Sequence, residues 1–345
     1  MLSHLLNKSS TEKEKSFSQK NKKIVFDEKK NVISPLESLN DEQYKAATSN
    51  LNNAIVIASA GTGKTSTIIA RVYYLINTKK IPPQQIVLLT FTSKAGKEML
   101  ERLGRYFPQD IVDKIFAGTF HSYGKKILDS LPIKHQLIDD KKINFMLISL
   151  YQELSVKFGI TLNPDSDDEK VMSTKKLVSH FGYYTNTITD TLEHPFAEWL
   201  EQKNDKLKPM VNFYDEVISN YIEEKKRYKL VDFTDYLLFL GTHFKNNKIS
   251  LGEIIVDEYQ DTNALQNEVL KSMVESSKAS LFCVGDYDQS IYSFNGSDIG
   301  IIASFKDRYP DTAILSLNKN YRSVPSILGL AEKIITKNLR IYPKQ

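Results

Sequence analysis

The feature that most constrains this sequence is a short loop with two glycines, placed between an apolar run and a helical pattern. Its residues are Ala58, Ser59, Ala60, Gly61, Thr62, Gly63, Lys64, Thr65 and Ser66. The apolar run 54–57 precedes the loop, and apolar residues at helical spacing follow it over 68–76. A glycine loop between a strand and a helix is the context of a phosphate-binding loop. The sequence therefore predicts such a loop, although Ala58 stands where these loops usually have their first glycine.

The polar residues of this loop have separate predicted roles. Gly61 and Gly63 let backbone N–H groups turn toward an anion, and the helix that follows adds the positive end of its dipole. Lys64 can reach the β- and γ-phosphates, and the Thr65 hydroxyl can hold Mg²⁺. The alternative is a chance glycine turn, which the flanking strand and helix patterns disfavour.

Length and composition are ordinary for a soluble protein. The chain has 345 residues, of which 41% are hydrophobic and 26% charged, so roughly one to three domains are expected. Its single cysteine, Cys283, excludes an internal disulfide framework and fits a reducing compartment. No apolar stretch approaches the length of a membrane span or of a signal-peptide core. We therefore expect a cytoplasmic protein without a membrane partner.

The net charge of +4 comes from the beginning of the chain. Residues 1–31 contain 8 lysines and 4 acidic residues, so the rest of the sequence is formally neutral. Few apolar residues accompany these charges, which is typical of a disordered tail. Because the remainder is neutral, any argument for a nucleic-acid partner must come from local residues.

A second chemical signal follows Glu253 and the apolar run 254–256, which leads directly into two acids. Asp257 at such a strand tip can hold the Mg²⁺ brought by Thr65, through water. Glu258 can orient and deprotonate a water for attack on the γ-phosphate. Parallel strands end at one edge of a sheet, so Lys64 and Asp257 can meet although they are far apart in sequence. A surface acidic turn is the alternative, and the strand before it makes that the weaker interpretation.

Four further residues are candidates for contacts with the nucleotide. They are Gln43, Gln289, Tyr321 and Arg322. An amide such as that of Gln43 matches the donor and acceptor on the edge of adenine, although this signal is weak by itself. Gln289 follows the apolar run 281–285 and is placed to contact the γ-phosphate. Tyr321 can stack on adenine, and Arg322 can stabilise charge on the transferring phosphoryl group.

Aromatic and hydroxyl residues near predicted strand ends point to single-stranded nucleic acid. The candidates are Phe91, Thr92, Thr119, His121, Tyr292 and Phe294. A ring such as that of Phe91 can stack on a base, and a hydroxyl such as that of Thr92 can bind phosphate. Taken alone, Phe91 is better explained as a core ring and the hydroxyls as helix caps. Other motifs are needed to favour the nucleic-acid interpretation.

The region 125–250 differs from the rest of the chain. It has few glycines and many Lys, Glu, Leu and Tyr residues, with helical spacing over 142–155 and 209–228. We interpret it as a helical insertion between strands of the first domain. Its lysines are better explained as a solvated face than as a nucleic-acid path.

The complete set of stretches resembles superfamily 1 DNA helicases of the UvrD/Rep/PcrA type. The matching segments, in the family's order, are 39–43 (Q motif), 58–67 (I), 89–103 (Ia), 118–122 (Ib), 256–263 (II), 284–297 (III) and 320–323 (IV). The most specific residues are Asp257-Glu258-x-Gln260-Asp261 and Gly285-Asp286-x-Asp288-Gln289-Ser290-Ile291-Tyr292.

This resemblance implies a RecA-like P-loop NTPase fold, an α/β parallel sheet that carries an inserted α-helical subdomain. We expect a disordered basic tail over 1–34 and an ATP-binding domain (1A) over 35–124 and 251–316. The helical insertion (1B) would occupy 125–250, and a second RecA-like domain (2A) would begin at 317–345.

The resemblance also implies an ATP-dependent 3′–5′ DNA helicase that binds ATP, Mg²⁺, single-stranded DNA and duplex DNA. It assigns adenine recognition to Gln43 and Tyr321, phosphate binding and catalysis to Lys64, Glu258, Gln289 and Arg322, and Mg²⁺ to Thr65 and Asp257. It assigns the single-stranded DNA path to Phe91, Thr92, Thr119, His121, Tyr292 and Phe294.

Some residues depart from the family's pattern. Ser66 stands where the family often has arginine, which removes one possible contact to the base. Phe294 and Asn295 replace the usual tryptophan and arginine. The phenylalanine can still stack, but the cation is lost, so the grip on DNA is expected to be weaker.

Motifs V and VI, most of 2A and the family's 2B insertion are not found in this sequence. Two hypotheses follow. The chain is the N-terminal part of a helicase and ATPase, or it is a nucleotide-dependent DNA-binding module that another RecA-like domain or partner chain completes and that does not unwind alone. A small-molecule kinase is a weaker hypothesis, because it would not need the segments around Phe91, Thr119 and Tyr292.

Overall fold

A computed structural model describes residues 33–160, 172–187, 195–203, 205–290 and 300–335. Its strands are β1 (Asn53–Ala58), β2 (Ile86–Leu89), β3 (Phe116–Gly118), β4 (Gln136–Leu137), β5 (Leu230–Val231), β6 (Glu253–Val256), β7 (Ser280–Gly285) and β8 (Thr312–Leu317). Its α-helices are α1 (Asp41–Ala47), α2 (Lys64–Asn77), α3 (Ser93–Leu103), α4 (Gln109–Val112), α5 (Phe120–Asp129), α6 (Asp140–Lys157), α7 (Thr174–Thr187), α8 (Phe196–Lys203), α9 (Val211–Tyr228), α10 (Phe233–Asn246), α11 (Ala264–Ser277), α12 (Gly300–Ala303), α13 (Phe305–Arg308) and α14 (Pro325–Ile335). None of the helices in these ranges is long and apolar enough to cross a membrane.

Six strands form one parallel sheet in the order β3-β2-β6-β7-β1-β8. In this sheet Ile55 of β1 is in register with Cys283 of β7 and with Ile314 of β8. The strands are rich in Ile, Val and Leu because a parallel sheet is covered on both faces. The predicted parallel α/β sheet is confirmed, and the carboxyl ends of all six strands lie at one edge.

Successive residues of each strand pack on opposite faces of the sheet. Ile55 and Val87 pack in a core with side chains of α5, α10 and α11. Val56 and Leu88 pack in a second core with side chains of α2, α3 and α4. The sheet is therefore the middle layer of an α/β/α arrangement, and its carboxyl edge is left open between the two helical layers.

The helices between β4 and β5 have a hydrophobic core of their own. It includes Leu147 of α6, Trp199 of α8 and Tyr214 of α9. The parallel pair β4–β5 closes this unit at its base, where the backbone N–H of Ile138 donates to the Val231 carbonyl at 2.8 Å. We call this unit the helical insertion.

Helix α10 packs with the sheet and not with the core of the helical insertion. Its residues Leu237, Leu240 and Phe244 are fully buried in the same core as Ile55. The domain limits drawn from the sequence stay a prediction, because the predicted 125–250 includes this helix. Hydrophobic packing favours a narrower insertion, bounded by β4 and β5.

Candidate active site

The phosphate-loop candidate lies at the carboxyl edge of the sheet, between β1 and α2. Gly61 and Gly63 have φ angles of +76° and +87°, in the left-handed region that glycine adopts without a steric penalty. A Cβ on Gly63 would lie 2.3 Å from Gln43 Nε2, and one on Gly61 would lie 2.5 Å from the Cβ of Arg322. Both glycines are therefore required by backbone conformation and by close neighbours.

Gln43 is held against this loop by its own amide. It is the third residue of α1, and Asn40 and Gln43 form a capping box in which each side chain accepts the other's backbone N–H. The Gln43 Nε2 donates to the Thr62 carbonyl at 2.9 Å, and the residue is buried. In this position Gln43 stabilises the glycine loop through its side chain. Its contact with adenine stays a prediction.

Lys64 and Glu258 form an ion pair across the site. Lys64 Nζ lies 2.6 Å from Glu258 Oε2, and Gln260 Nε2 donates to the same oxygen at 2.9 Å. Glu258 has a φ of +51° and a ψ of +49°, an unusual conformation for a residue with a side chain. The turn after β6 therefore aims this carboxylate at the loop lysine at a cost of order 1–3 kcal/mol.

Asp257 is more deeply placed than its neighbour. Its backbone N–H donates to the Leu89 carbonyl at 2.9 Å, which joins the end of β6 to β2. Its Oδ1 is buried and has no hydrogen-bond partner among the described residues. Burial, with a smaller contribution from the charge of Glu258, raises the pKa of Asp257 to about 7, although Lys64 opposes this shift. The half-buried Thr65 is the second residue of α2, directly after Lys64.

Gln260 connects the acids to the end of β7. Besides its bond to Glu258, its Oε1 accepts from the Asp286 backbone N–H at 2.9 Å, and the side chain is almost fully buried. Asp286 in turn accepts from Gln289 Nε2 through Oδ2. The candidate γ-phosphate contact Gln289 is thus turned toward Asp286 in this structure.

The segment after β8 docks onto the loop. Asn318 donates to the Glu42 carboxylate through its backbone N–H at 2.8 Å and through Nδ2 at 3.0 Å. The Tyr321 backbone N–H donates to the Gly61 carbonyl at 2.8 Å, and the ring of Tyr321 is exposed. The candidates Tyr321 and Arg322 are thereby brought beside Gly61.

A cavity of about 360 Å³ lies next to Asp257 and Glu258. Its walls include Phe91, Thr119 and His121, which are DNA-path candidates, and also Asp257 and Glu258. The cavity therefore brings three of the DNA-path candidates to the carboxylates of the candidate nucleotide site.

Two of the DNA-path candidates have a structural role at a helix start. Thr92 and Thr119 are the N-caps of α3 and α5, where their hydroxyls accept backbone N–H groups at 3.2 and 3.1 Å. Thr92 is exposed and does not line the cavity. Tyr292 and Phe294 lie outside the described residues.

Sequence reasoning missed the rings of Phe120 and Phe233, which also line the cavity; Phe120 is buried, whereas Phe233 is open to it. Phe233 opens α10, is 47% exposed and lies edge-on to His121 with 5.9 Å between ring centroids. Burial lowers the pKa of His121, while the nearby charge of Asp232 opposes the shift. The only available signal for Phe233 was an aromatic residue in the first turn of a helix, directly after the capping Asp232.

Comparisons with known proteins agree with these features. The family described as UvrD/REP helicase N-terminal domain matches residues 39–310. The Rep ATP-dependent DNA helicase of Buchnera aphidicola subsp. Acyrthosiphon pisum is 32% identical over 320 residues, which cover 89% of this chain and 46% of Rep. The PcrA ATP-dependent DNA helicase of Staphylococcus aureus is 32% identical over 322 residues, which cover 90% of this chain and 41% of PcrA. The chain thus spans less than half the length of these relatives. The family match confirms the resemblance drawn from the motifs, and the chain belongs to the UvrD/REP helicase N-terminal domain family.

Proposed function

We propose that this chain is the ATP-hydrolysing and single-stranded-DNA-binding part of a DNA helicase that moves 3′ to 5′. One observation carries the proposal. Glu258 is paired with Lys64 at the phosphate loop, and together with Asp257 it also lines the cavity that contains Phe91 and His121. A ligand in the cavity and a ligand on the loop would therefore share one acidic wall.

The loop residues would bind the phosphates of ATP. Backbone N–H groups of 61–65 would surround them, and Lys64 would exchange Glu258 for the β- and γ-phosphate oxygens. Thr65 and Asp257 would hold Mg²⁺, and the buried Asp257 Oδ1 without a partner fits a cation. When bound, the ion neutralises phosphate charge.

Glu258 would then be free to act as the general base. After Lys64 leaves, the carboxylate keeps the hydrogen bond from Gln260, which fixes its direction toward a water. Gln289 would turn from Asp286 to the γ-phosphate, and Arg322 would stabilise the charge that develops there. Tyr321 would stack on adenine, and the second amide hydrogen of Gln43 would donate to the base.

The cavity would bind bases of single-stranded DNA by stacking. Phe91, Phe233 and His121 supply rings, and base–aromatic stacking tolerates any sequence. Because burial lowers the pKa of His121, its ring is neutral at pH 7 and would contribute stacking and hydrogen bonding without charge. Thr92 and Thr119 would contact phosphates, and Tyr292 and Phe294 would extend the path.

Unwinding of duplex DNA is proposed for a larger assembly than this chain. Rep and PcrA are named as ATP-dependent DNA helicases, and this chain matches less than half of each. A second RecA-like domain or a partner chain would close on the nucleotide beside Tyr321 and Arg322.

ATP turnover with and without single-stranded DNA tests the proposal. Wild-type protein should hydrolyse ATP faster when oligo-dT is added, and Glu258→Gln should bind ATP without hydrolysing it. Binding without turnover in the wild type would favour the nucleotide-dependent DNA-binding module. A Glu258→Gln variant as active as wild type would show that Glu258 is not the base.

A further inference from the structure

A buried lysine joins the helical insertion to the first turn of α10. Lys225 of α9 is only 4% exposed. Its ammonium donates to Asp232 and, at 2.7 Å, to Asp235. The hydroxyl of Tyr221, also in α9, donates to Asp232 at 2.9 Å. We call these four residues, Tyr221, Lys225, Asp232 and Asp235, the neck cluster.

The two aspartates of the neck cluster also build the start of α10. The Asp232 side chain accepts the Asp235 backbone N–H at 3.0 Å, and the Asp235 side chain accepts the Asp232 backbone N–H at 2.8 Å. Phe233 lies between them and points its ring into the cavity beside His121. The position of Lys225 and the position of the Phe233 ring are therefore linked through one helical turn.

The charges of the neck cluster explain why Lys225 in particular holds this turn in place. Burial would raise the pKa of Asp232, but the charge and hydrogen bond of Lys225, together with hydrogen bonds from the Asp235 backbone and the Tyr221 hydroxyl, lower it. Burial and the charge of Asp232 raise the pKa of Asp235, and Lys225 opposes this shift. Removing the lysine would leave two buried carboxylates without a cation, which is strongly unfavourable. The first turn of α10 would then shift so that the two carboxylates reach water, and Phe233 would move with it.

We propose that Lys225 is a positioning residue that fixes Phe233 and His121 in the cavity, and thereby sets the affinity of this chain for single-stranded DNA. This inference rests on the proposed function, since it assumes that the cavity binds DNA bases. The helical insertion would thus control the cavity through Lys225, which is buried and does not line the cavity.

A double-mutant cycle tests the proposal, with the affinity for fluorescein-labelled oligo-dT measured by anisotropy. Lys225→Met should weaken binding about three- to tenfold and should have almost no further effect when Phe233→Ala is already present. Lys226→Met is the matched control, because Lys226 is the exposed neighbour in α9 and its loss removes the same charge. Binding of a fluorescent ATP analogue by each variant reports an intact nucleotide site.

Two results would overturn the proposal. The first is a folded Lys225→Met variant that binds oligo-dT as tightly as Lys226→Met does. The second is a Lys225→Met substitution that lowers the affinity for oligo-dT by the same factor in the wild type and in Phe233→Ala. If Lys225→Met does not fold, the milder Asp235→Asn takes its place in the same cycle, because asparagine keeps the acceptor for the Asp232 N–H. Wild-type protein that binds ATP but no oligo-dT would reject the DNA part of the proposed function itself, a result visible before any variant is made.

Discussion

At the scale of single residues, Glu258 is paired with a lysine, whereas Asp257 has one buried oxygen without a hydrogen-bond partner among the described residues. Glu258 accepts from both Lys64 and Gln260. Asp257 is half-buried beside it, and its buried Oδ1 has no hydrogen-bond partner in the described part of the chain. A buried carboxyl oxygen without a hydrogen bond costs stability, and this arrangement is expected where a cation is to be bound.

The ionisation of Asp257 should therefore make the ligand-free protein less stable as pH rises. Its pKa is raised from 3.8 to about 7, so between these values the folded chain retains a proton that the unfolded chain has lost. Stability contributed by this proton is present at low pH and is lost as pH rises toward 7. Asp257→Asn cannot ionise, so its melting temperature should exceed that of wild type by more at pH 8 than at pH 5.

Thermal melts of nucleotide-free protein at the two pH values measure this difference. Asp307→Asn, which removes an exposed carboxylate on α13, is the control. The same difference between Asp257→Asn and wild type at both pH values would contradict the assignment.

Some residue positions could be predicted from the sequence, and others could not. The approach of Lys64 to Glu258 follows from two strands that end at one edge of a parallel sheet. The hydrogen bond from Gln43 to Thr62 depends on how α1 packs, which no local pattern encodes. The capping roles of Thr92 and Thr119 were foreseeable from their places before helices, whereas the position of Phe233 in the cavity was not.

At the scale of elements, a buried ion pair joins α2, the helix after the glycine loop, to β6, the strand that precedes Asp257. Arg71 of α2 donates to both carboxylate oxygens of Glu253, with its Nε at 2.6 Å and its second terminal nitrogen at 2.8 Å. It also donates to the carbonyl of Ala47, the last residue of α1, and to that of Ser49. Three elements that carry site residues are therefore fixed to one another by a single side chain.

Arg71→Leu should destabilise the protein by about 3–5 kcal/mol, because it leaves Glu253 buried without its cation. Urea denaturation measures this change. Arg102→Leu is the matched control, since Arg102 pairs with Glu98 on the exposed side of α3 and should contribute at most about 1 kcal/mol. Equal losses for the two variants would refute the role given to Arg71.

Apolar runs in the sequence located β1, β6 and β7, because each is a short, buried strand. They do not show which part of the molecule α10 packs against. Helical spacing shows that Leu237 and Leu240 share one face of a helix, but it does not show which core that face meets. Helix α14 shows the same limit. Its sequence is apolar, but side chains such as Leu330 are exposed, and the sequence does not say what would cover them.

At the scale of the whole molecule, the cavity lies where the sheet edge meets the helical insertion. Phe91 and His121 come from the sheet side, and Asn186 comes from α7 of the insertion. A strand of DNA bound there would contact both units, so their relative position would affect its affinity.

Phe91→Ala should weaken binding of oligo-dT by about 1–3 kcal/mol, the contribution of one stacked base. Phe145→Ala is the control, because Phe145 is 64% exposed on α6 and does not line the cavity. Fluorescence anisotropy measures both affinities. If Phe145→Ala costs as much as Phe91→Ala, the cavity is not the binding site.

The measurement that tests the central claim most directly is the affinity for oligo-dT with and without a non-hydrolysable ATP analogue and Mg²⁺. The two proposed sites share Asp257 and Glu258, so each ligand should change the affinity for the other by the same factor. We expect a change of about fivefold or more in wild-type protein and none in Lys64→Ala, which should not bind the analogue. Equal DNA affinities with and without bound analogue in the wild type would contradict the account.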